Sequence, residues 1–316
     1  MHNDRLLIDV VSSANNEEDV LPRFFEEILS VFETESKYDF RLTMFENGST
    51  DQTWKLIEAA AQSDARIRGV RGSKMWNLDA AFLTGLRMAS GHAVVTMASD
   101  LQDPPELIHQ FLREMEKGAP HIAARITKRS GVPLLRRGLS QVFYWLANRA
   151  TGGMLPRNVS DFRLMTQPLY QSVRDIQERN IFLRGLVAWT GFPTVYLDIE
   201  RPARAAGKTK WNSAKIMRVA LRTILSHTYQ PLSFIALTGL LLSGISFLST
   251  LIFSILWITD GVPFAGFGTL VGILLLSFSL IMLMIGILAE YLGLVYEEVK
   301  GRPAYIVWQE TDRHSD

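Results

Sequence analysis

The sequence predicts an α/β protein with a mostly parallel sheet, followed by a pair of membrane-spanning helices. Three observations lead to this prediction. Short apolar runs alternate with helical patterns from Leu6 to about Ala124, and polar residues cluster where several of these runs end. Two apolar stretches, 232–258 and about 268–292, are each longer than the ~20 residues that cross a bilayer.

The predicted strands and helices follow one another in a regular order. Apolar period and flanking turn residues predict strands at 6–12, 40–46, 67–70, 92–98 and 122–124, with another at 195–200. Helices are predicted at 15–32, 49–61 and 77–88, with an asparagine of the Asn15–Asn16 pair and Ser49 as the expected N-caps of the first two. Strands that alternate with helices in this way form parallel sheets with helices on both faces.

The fourth strand ends in the sequence Ser99-Asp-Leu-Gln-Asp-Pro-Pro-Glu106. Asp103 can N-cap a helix that begins at Pro104, and Glu106 would complete a capping box. Asp100 is then expected on a short loop at the carboxyl end of a strand, where open α/β sheets bind ligands. A carboxylate there suits a ligand or the metal ion that a ligand carries, although many loop aspartates are only solvated.

Three polar clusters are expected at this one edge of the sheet. They are Asn16-Glu17-Glu18, Glu46-Asn47-Gly48-Ser49 and Asp100-Leu-Gln102-Asp103. Their carboxylates and amides suit a ribose hydroxyl, a base edge or a divalent cation bound to phosphate oxygens. Any one cluster could be an ordinary helix cap, but three together favour a ligand site. The chain has neither Gly-x-Gly-x-x-Gly nor a P-loop.

Charge and composition exclude several kinds of site. There is no cysteine, and the six histidines are scattered, so a disulfide framework, a thiol nucleophile and a Cys-bearing zinc site are excluded. The formal net charge of +1 hides two stretches without acidic residues, 118–160 and 201–259. Near a membrane these could bind a phosphate at the bilayer surface, or simply anionic headgroups. They lack a nucleic-acid-binding module.

The C-terminal third of the chain is expected to attach the protein to a membrane. Residues 213–227 have one apolar face, which is typical of a helix on a membrane surface. Basic residues flank the two apolar stretches on their outer sides but are absent from the loop between them, so both chain ends are expected in the cytoplasm. The predicted organisation is a catalytic domain at 1–212, an amphipathic helix at 213–230, a transmembrane hairpin at 231–293 and a cytoplasmic tail at 294–316.

With these motifs the sequence resembles the polyprenyl-phosphate glycosyltransferases of glycosyltransferase family 2, which include bactoprenol glucosyltransferases and dolichol-phosphate mannose synthases. The resemblance spans nearly the whole chain. The motifs that carry it are Asn16-Glu17-Glu18-Asp-Val-Leu21, Gly48-Ser-Thr-Asp51, Ser99-Asp-Leu-Gln-Asp-Pro-Pro-Glu106, Val159-Ser-Asp-Phe-Arg-Leu-Met165, Glu200-Arg-Pro-Ala-Arg-Ala-Ala-Gly-Lys-Thr-Lys-Trp211 and Tyr296-Glu-Glu-Val-Lys-Gly-Arg-Pro303.

The resemblance implies a GT-A fold, a Mg²⁺ or Mn²⁺ cofactor and an inverting displacement. Asp100 and Gln102 would approach the metal ion and the donor diphosphate, and Asp161 would be the candidate catalytic carboxylate near the acceptor phosphate, with Asp100 as its catalytic partner. The implied donor-binding residues are Asn16, Glu17, Glu46, Asn47, Ser49, Asp100 and Gln102. The residues implied to gather the donor and lipid phosphates are Arg125, Arg129, Arg137, Arg204 and Lys210.

The chain departs from the family pattern at three places. Family members usually have Asp at the place of Ala98, Asp-Asp in place of Glu46-Asn47, and Pro-x-Tyr in place of Ser13-Ala-Asn15. The first change removes a negative group from the metal environment and puts cation affinity in doubt. The other two affect the region expected to hold the nucleoside, which leaves an altered donor open as an alternative.

The sequence therefore predicts an enzyme of the plasma (inner) membrane that transfers one sugar from a nucleotide sugar to undecaprenyl phosphate at the cytoplasmic face, with UDP-glucose as the default donor. Its expected role is cell-envelope glycan modification, such as that of O-antigen. Expected partners are the donor, the lipid acceptor, membrane lipids and further copies of the chain, with a tetramer as one assembly, and no nucleic acid. The alternatives are a different donor sugar or a non-catalytic, nucleotide- or lipid-binding scaffold of glycan assembly.

Overall fold

The chain divides into two compact units in a computed structural model that describes residues 5–129, 158–178, 181–201 and 267–311, with individual helical positions between 232 and 255. One unit is Met1–Trp211 together with Arg302–Asp316, and the other is Asn212–Gly301. The C-terminal segment that follows the long apolar helix thus belongs to the same unit as the N-terminal half of the chain.

The first unit contains eight strands and six helices among its described residues. Its elements are β1 (Leu6–Ala14), α1 (Leu21–Thr34), β2 (Tyr38–Glu46), α2 (Thr53–Ser63), β3 (Ile67–Gly72), α3 (Leu78–Met88), β4 (Ala93–Ala98), α4 (Leu107–Glu116), β5 (His121–Arg129), β6 (Val159–Thr166), α5 (Gln167–Arg174), α6 (Leu183–Trp189), β7 (Thr194–Arg201) and β8 (Val307–Glu310). The second unit contributes α7 (Phe267–Val299).

The strands form one sheet in the order β7-β5-β6-β4-β1-β2-β3-β8. Neighbouring strands β4, β1, β2 and β3 run parallel, as do β5 and β7. Two strands run the other way: β6 pairs antiparallel with β4 and β5, and β8 pairs antiparallel with β3. The predicted mostly parallel sheet is confirmed, and the carboxyl ends of β1, β2 and β4 meet at one edge.

Helices cover both faces of the sheet, as the alternating pattern predicts. Phe24 and Ile28 of α1 and Phe111 of α4 are fully buried in the core on one face. On the other face, Phe82 of α3 and Tyr170 of α5 are fully buried in a second core. Burial of a large apolar side chain contributes roughly 2–3 kcal/mol, so the two cores hold the sheet edge in place between them.

The predicted caps at the starts of three helices are wrong. Helix α4 begins at Leu107 instead of Pro104, α2 at Thr53 instead of Ser49, and α1 at Leu21 instead of near Asn15. None of the three has a side-chain cap hydrogen bond. The polar side chains at these places bond to neighbouring loops instead, and this tertiary use competes with helix capping.

The second unit contains a helix long and apolar enough to cross a membrane, Leu276–Val299 within α7, with a mean hydropathy of 2.1. It is the single such candidate in the described part of the chain. The first predicted membrane helix, 232–258, has only scattered described positions, so the two-helix hairpin remains a prediction. The predicted amphipathic helix at 213–230 lies outside the described residues.

A buried histidine at the start of β5 should make the fold sensitive to acid. His121 Nδ1 lies 2.8 Å from the Thr194 hydroxyl, and burial, with a smaller effect of the Arg163 charge, lowers the pKa of His121 to about 3. Below the unfolded value of 6.5, only the unfolded chain takes up this proton, so stability falls as the pH drops from 6.5 towards 3.

Replacing His121 with asparagine should therefore flatten the pH dependence of stability. Between pH 6.5 and 4.5 the parent should lose roughly 2 kcal/mol more than the variant, as measured by chemical unfolding. Thr194→Val, which removes the hydrogen-bond partner and leaves the imidazole, should keep the slope of the parent. Equal slopes for the parent and His121→Asn would contradict the prediction.

Candidate functional site

The loops that follow β1 and β2 are joined by reciprocal hydrogen bonds. Asn16, whose φ of 55° lies in the left-handed region that asparagine tolerates, accepts a hydrogen bond from Thr50 N at 2.8 Å. Its own N–H donates to the Ser49 hydroxyl at 3.0 Å. Glu17 N donates to the Thr53 hydroxyl at 2.9 Å. The structure therefore brings the first two predicted clusters together, with Asn16 and Ser49 as the ties between them.

Asn47 fixes a third loop, residues 73–77, against the same edge. Its buried amide donates to Trp76 O at 2.9 Å and accepts from Trp76 N at 2.9 Å. Gly48 has a φ of +71°, and a Cβ at this position would lie 2.4 Å from Met75 N. Only glycine allows this close approach. The Asn47 side chain thus has a structural role, because both of its polar atoms form hydrogen bonds with the backbone of the neighbouring loop.

Asn47→Asp would introduce the residue that the family resemblance leads one to expect here, yet it should destabilise this chain. A carboxylate could accept from Trp76 N but would face Trp76 O without a proton to donate. We expect a loss of about 1–3 kcal/mol in the free energy of unfolding. Asn77→Asp, in the same loop, is the matched control and should lose far less, because Asn77 is exposed and its amide makes only a long hydrogen bond of 3.4 Å to Ile181 O. A stable Asn47→Asp variant would show that the loop re-forms without the amide.

The loop after β4 is connected to the start of β6. Buried Asp103 accepts a hydrogen bond from the buried Ser160 hydroxyl at 2.7 Å, and Thr96 of β4 donates to Asp161 O at 2.7 Å. Asp100, partly buried, accepts from Gln102 N at 3.3 Å. Between them Leu101 has a φ of 53°, a strained conformation for leucine that often marks functional sites. Asp100, in the loop after β4, and Asp161, near the start of the adjacent strand β6, therefore lie at one edge of the sheet.

Asp161 lies within a cluster of opposite charges. Arg184 Nε is 2.8 Å from Asp161 Oδ1, and Arg184 Nη2 donates to Oδ2 at 3.0 Å. Arg163 Nη2 lies 3.8 Å from Oδ1. Burial, and then the charge of Asp161, raise the pKa of Asp79 to about 6. Burial also lowers the pKa of Arg163 to about 10. Two carboxylates and two guanidinium groups thus share one site.

This arrangement suits Asp161 to holding a positively charged group in place and not to transferring a proton. Both oxygens of Asp161 face Arg184, so the carboxylate orients that guanidinium group. The Arg184 side chain is 33% exposed, and its Nη1 donates to Val159 O at 3.1 Å. It can therefore present a fixed positive charge to an anionic ligand at the sheet edge.

Sequence reasoning missed three members of this cluster. Arg163 stands two residues after Asp161 on β6, so the period of a strand places both on one face, and this signal was present in the Val159–Met165 motif. Asp79 and Arg184 gave no comparable signal. Asp79 accepts from Leu183 N at 3.2 Å across 104 positions of the chain, and no local pattern reports such a contact.

Other predicted site residues have different partners in the structure. Glu46 is buried and binds Arg71 Nε at 3.0 Å and Ser49 N. Arg125 forms a two-point ion pair with Asp198, at 2.6 and 3.0 Å. Of the remaining predicted phosphate ligands, Arg129 ends β5 with no described side chain, and Arg137, Arg204 and Lys210 lie outside the described residues.

Asp100 and Gln102 could hold a divalent cation that arrives with a ligand. Within the described residues there is no group of three or more His, Cys, Asp or Glu side chains suited to a metal ion. A closed, all-protein metal cage is therefore not formed by these residues. Mg²⁺ in nucleotide sites needs only one or two carboxylates, because phosphate oxygens and water supply its other ligands. The donor set fits this open kind of site.

The fold of the first unit is shared with solved sugar transferases. Glucosyl-3-phosphoglycerate synthase from Mycobacterium tuberculosis, in complex with Mn²⁺, UDP and phosphoglyceric acid, aligns with a TM-score of 0.52 and 15% identity over 70% of this chain and 78% of its own. Mannosyl-3-phosphoglycerate synthase from Rubrobacter xylanophilus aligns with a TM-score of 0.50 and 15% identity, over 72% and 75%. These likenesses confirm the expected GT-A fold.

Sequence comparison extends the similarity to almost the whole chain. An uncharacterised glycosyltransferase of Synechocystis sp. is 33% identical over 300 residues, 95% of this chain and 94% of its own. The bactoprenol glucosyl transferase of Shigella phage SfV is 32% identical over 306 residues, 97% of this chain and 99% of its own. The family model described as glycosyl transferase family 2 matches residues 9–174. The chain therefore belongs to glycosyl transferase family 2 and is a transferase enzyme.

Proposed function

We propose that the protein transfers a single sugar from a nucleotide sugar to a polyprenyl phosphate, undecaprenyl phosphate in the first instance. The observation that carries this proposal is the Asp103–Ser160 hydrogen bond of 2.7 Å. It joins the loop of Asp100, the expected donor side, to the strand of Asp161, the expected acceptor side. Full-length relatives named bactoprenol glucosyl transferases support this substrate pair.

On the donor side, Asp100 and Gln102 would hold a divalent cation together with the donor diphosphate. The cation, Mg²⁺ or Mn²⁺, would neutralise the charge that develops on the leaving nucleoside diphosphate. A structural neighbour that contains Mn²⁺ and UDP supports this choice of cofactor. With Asp100 as the expected metal carboxylate and Ala98 without a charge, cation affinity should depend strongly on the bound diphosphate.

On the acceptor side, Arg184 would orient the lipid phosphate, and Asp161 would hold Arg184 in place. A phosphate is already anionic at neutral pH, so its oxygen can attack the sugar carbon without a strong base. Positioning of the two substrates then supplies much of the rate. Direct attack on the anomeric carbon gives a product of inverted configuration, with the nucleoside diphosphate as the leaving group.

The membrane part of the proposal rests on α7 and on charge. The apolar part of α7 is long enough to span a bilayer, and the basic residues flanking the predicted hairpin favour a cytoplasmic catalytic unit at the plasma membrane. Lipid-linked sugar made there would serve cell-envelope glycans such as O-antigen. Assembly into a homo-oligomer, such as a tetramer, remains part of the proposal.

The test is a transfer assay with the purified full-length protein. It would be incubated with undecaprenyl phosphate, Mg²⁺ or Mn²⁺, and labelled UDP-glucose, UDP-galactose, UDP-N-acetylglucosamine or GDP-mannose. We expect a labelled lipid from one donor, UDP-glucose by default, and none without the lipid or with Asp100→Asn. Nucleotide binding without a lipid product from any donor would support the non-catalytic scaffold, which the loss of the usual carboxylate at Ala98 favours.

A further inference from the structure

We propose that residues 302–311, here called the return segment, form one wall of the donor site, with Tyr305 as a positioning residue for the donor. This inference rests on the proposed function, because it assumes that the loops after β2 and β3 face a nucleoside diphosphate. The return segment follows the apolar helix α7 in sequence but belongs to the first unit. It includes the edge strand β8.

The return segment is hydrogen-bonded along the whole site end of β3. Val70 pairs with Glu310, Arg71 with Gln309, and Gly72 with Val307. Beyond the strand pairing, Gly69 N donates to the Thr311 hydroxyl at 2.9 Å and Thr311 N donates to Gly69 O at 3.0 Å. Ser73 N donates to Ile306 O at 3.0 Å. The segment is thus bonded to β3 up to the point where the 73–77 loop begins.

Tyr305 contacts both loops that Asn47 joins. It is 8% exposed, and its hydroxyl donates to Glu46 O at 3.3 Å. Its ring meets Phe45 edge-on at 5.5 Å and lies 6.1 Å from the Trp76 ring. Burial, with a smaller effect of the Glu46 charge, raises the pKa of Tyr305, so the hydroxyl keeps its proton and remains a donor.

Close packing beneath Tyr305 depends on the glycine that ends β3. A Cβ at Gly72 would lie 2.8 Å from the Tyr305 hydroxyl oxygen and 3.1 Å from the Trp76 ring. The tyrosine therefore occupies space that any other residue at 72 would fill. Because Tyr305 contacts the end of β2 and the 73–77 loop at once, it fixes the distance between them.

Trp308 covers the ion pair that neutralises Glu46. The Arg71 guanidinium carbon lies 4.7 Å from the centre of the Trp308 ring and 5.5 Å from that of Trp54, while Arg71 Nε bonds to Glu46 Oε2 at 3.0 Å. Trp308 itself is 65% exposed. A cation between two indole rings is held in one orientation, so the buried Glu46 carboxylate keeps its partner.

The position of β8 in the sheet predicts which kinetic constant depends on the return segment. β8 lies beside β3, whereas Asp100 follows β4 and Asp161 is on β6, and both of these strands lie beyond β1 and β2 in the strand order. Loosening the return segment should therefore weaken donor binding and leave the reacting groups in place. A residue that is only structural would instead lower stability without a selective effect on the donor.

The test measures nucleotide binding as well as transfer. The full-length parent, Tyr305→Phe and Tyr305→Ala would be titrated with UDP, GDP and TDP in the presence of Mg²⁺ or Mn²⁺. For the nucleotide that the parent binds, we expect Kd and donor KM to rise about 3-fold for Tyr305→Phe and about 10-fold or more for Tyr305→Ala. The acceptor KM and kcat should stay within about 2-fold of the parent.

Glu58→Ala is the matched control, because it removes the partner that Gln309 has on α2, and Glu58 itself lies outside the return segment. It should bind the nucleotide like the parent. If the parent binds a nucleotide but transfers nothing, the proposed function fails, and weaker binding by the Tyr305 variants still supports the return segment as a site wall. Unchanged Kd in both Tyr305 variants overturns the inference, as does a parent that binds none of the three nucleotides.

Discussion

Asp161→Asn should lower kcat by about a hundred- to a thousandfold, the usual loss when a preorganised charge is disturbed at a reacting centre. The carboxylate meets Arg184 through both oxygens, at 2.8 and 3.0 Å. An amide would turn an NH₂ group towards a guanidinium group that can only donate. Arg184 would then leave its orientation, and the acceptor phosphate would lose its fixed partner. Steady-state transfer to undecaprenyl phosphate, with donor and lipid varied separately, measures the loss.

A double-mutant comparison tests whether Asp161 acts through Arg184. Arg184→Gln alone should also be impaired, and the double variant should be hardly worse than either single one, because residues that act as a unit are not additive. Asp175→Asn, an exposed change at the end of α5, is the control and should transfer like the parent. Losses that multiply in the double variant would mean that Asp161 meets the substrate independently, for example as a base.

Arg163→Met should lower the thermal midpoint of the first unit by about 10 °C at pH 7.5, the equivalent of roughly 3–5 kcal/mol. The Arg163 side chain is 2% exposed, and its positive charge is close to Asp161 and Asp79. Removing it leaves two carboxylates with one guanidinium partner in a buried site. The backbone is also affected, since Arg163 Nη2 donates to Ser160 O at 2.9 Å.

The difference in thermal midpoint between Arg163→Met and the parent should become smaller as the pH falls. The pKa of Asp79 is already raised to about 6 in the parent, and Arg163 is one of the charges that lowers it. Without Arg163 the pKa of Asp79 should rise further. A raised carboxyl pKa gives stability that is present below the unfolded value of 3.8 and lost as the pH rises through the folded value. Melting curves of the variant and parent from pH 7.5 to 4.5 should therefore converge.

Asp79→Asn combined with Arg163→Met should recover much of the lost midpoint at pH 7.5, because the surplus charge is removed. Asparagine can still accept the hydrogen bond from Leu183 N. A deficit that is the same at every pH, and that the second substitution does not reduce, would assign the loss to packing instead of charge.

The regular alternation of strands and helices in the N-terminal part of the fold was predictable from the sequence. Alternation of apolar runs and helices gave strands β1 to β4 and the order of their helices. The residues at the carboxyl ends of these strands come together because parallel strands end at one edge. The antiparallel β8 was not anticipated, because a four-residue strand with exposed side chains has no apolar period of its own. It forms through pairing with a strand that is distant in sequence.

The hydrogen-bond partners of single side chains were less predictable than the positions of these side chains in the fold. Asp103 and Ser49 have residue types suited to helix caps, yet Asp103 bonds to Ser160 and Ser49 to Asn16. The same oxygen atom can serve either purpose, and only the packed loops decide between them. Glu46 and Asn47 were expected to bind the donor. Their side chains instead form hydrogen bonds with Arg71 and with the backbone of Trp76. The missed charges, Asp79 and Arg184, depend on contacts between segments that are far apart in the sequence.

The strand β8 leaves the ribosome after all the other strands of the sheet that the structure describes. Arg68 and Glu310 form an ion pair across 242 positions, and translation of that interval takes about 10–50 s at usual speeds. During this time β3 has an open edge, which invites pairing with other chains. Since α7 is made before β8, a chain whose α7 enters a bilayer, as proposed, would do so before the sheet is complete. A chain that stalls before residue 307 keeps that edge uncovered and should depend on chaperones.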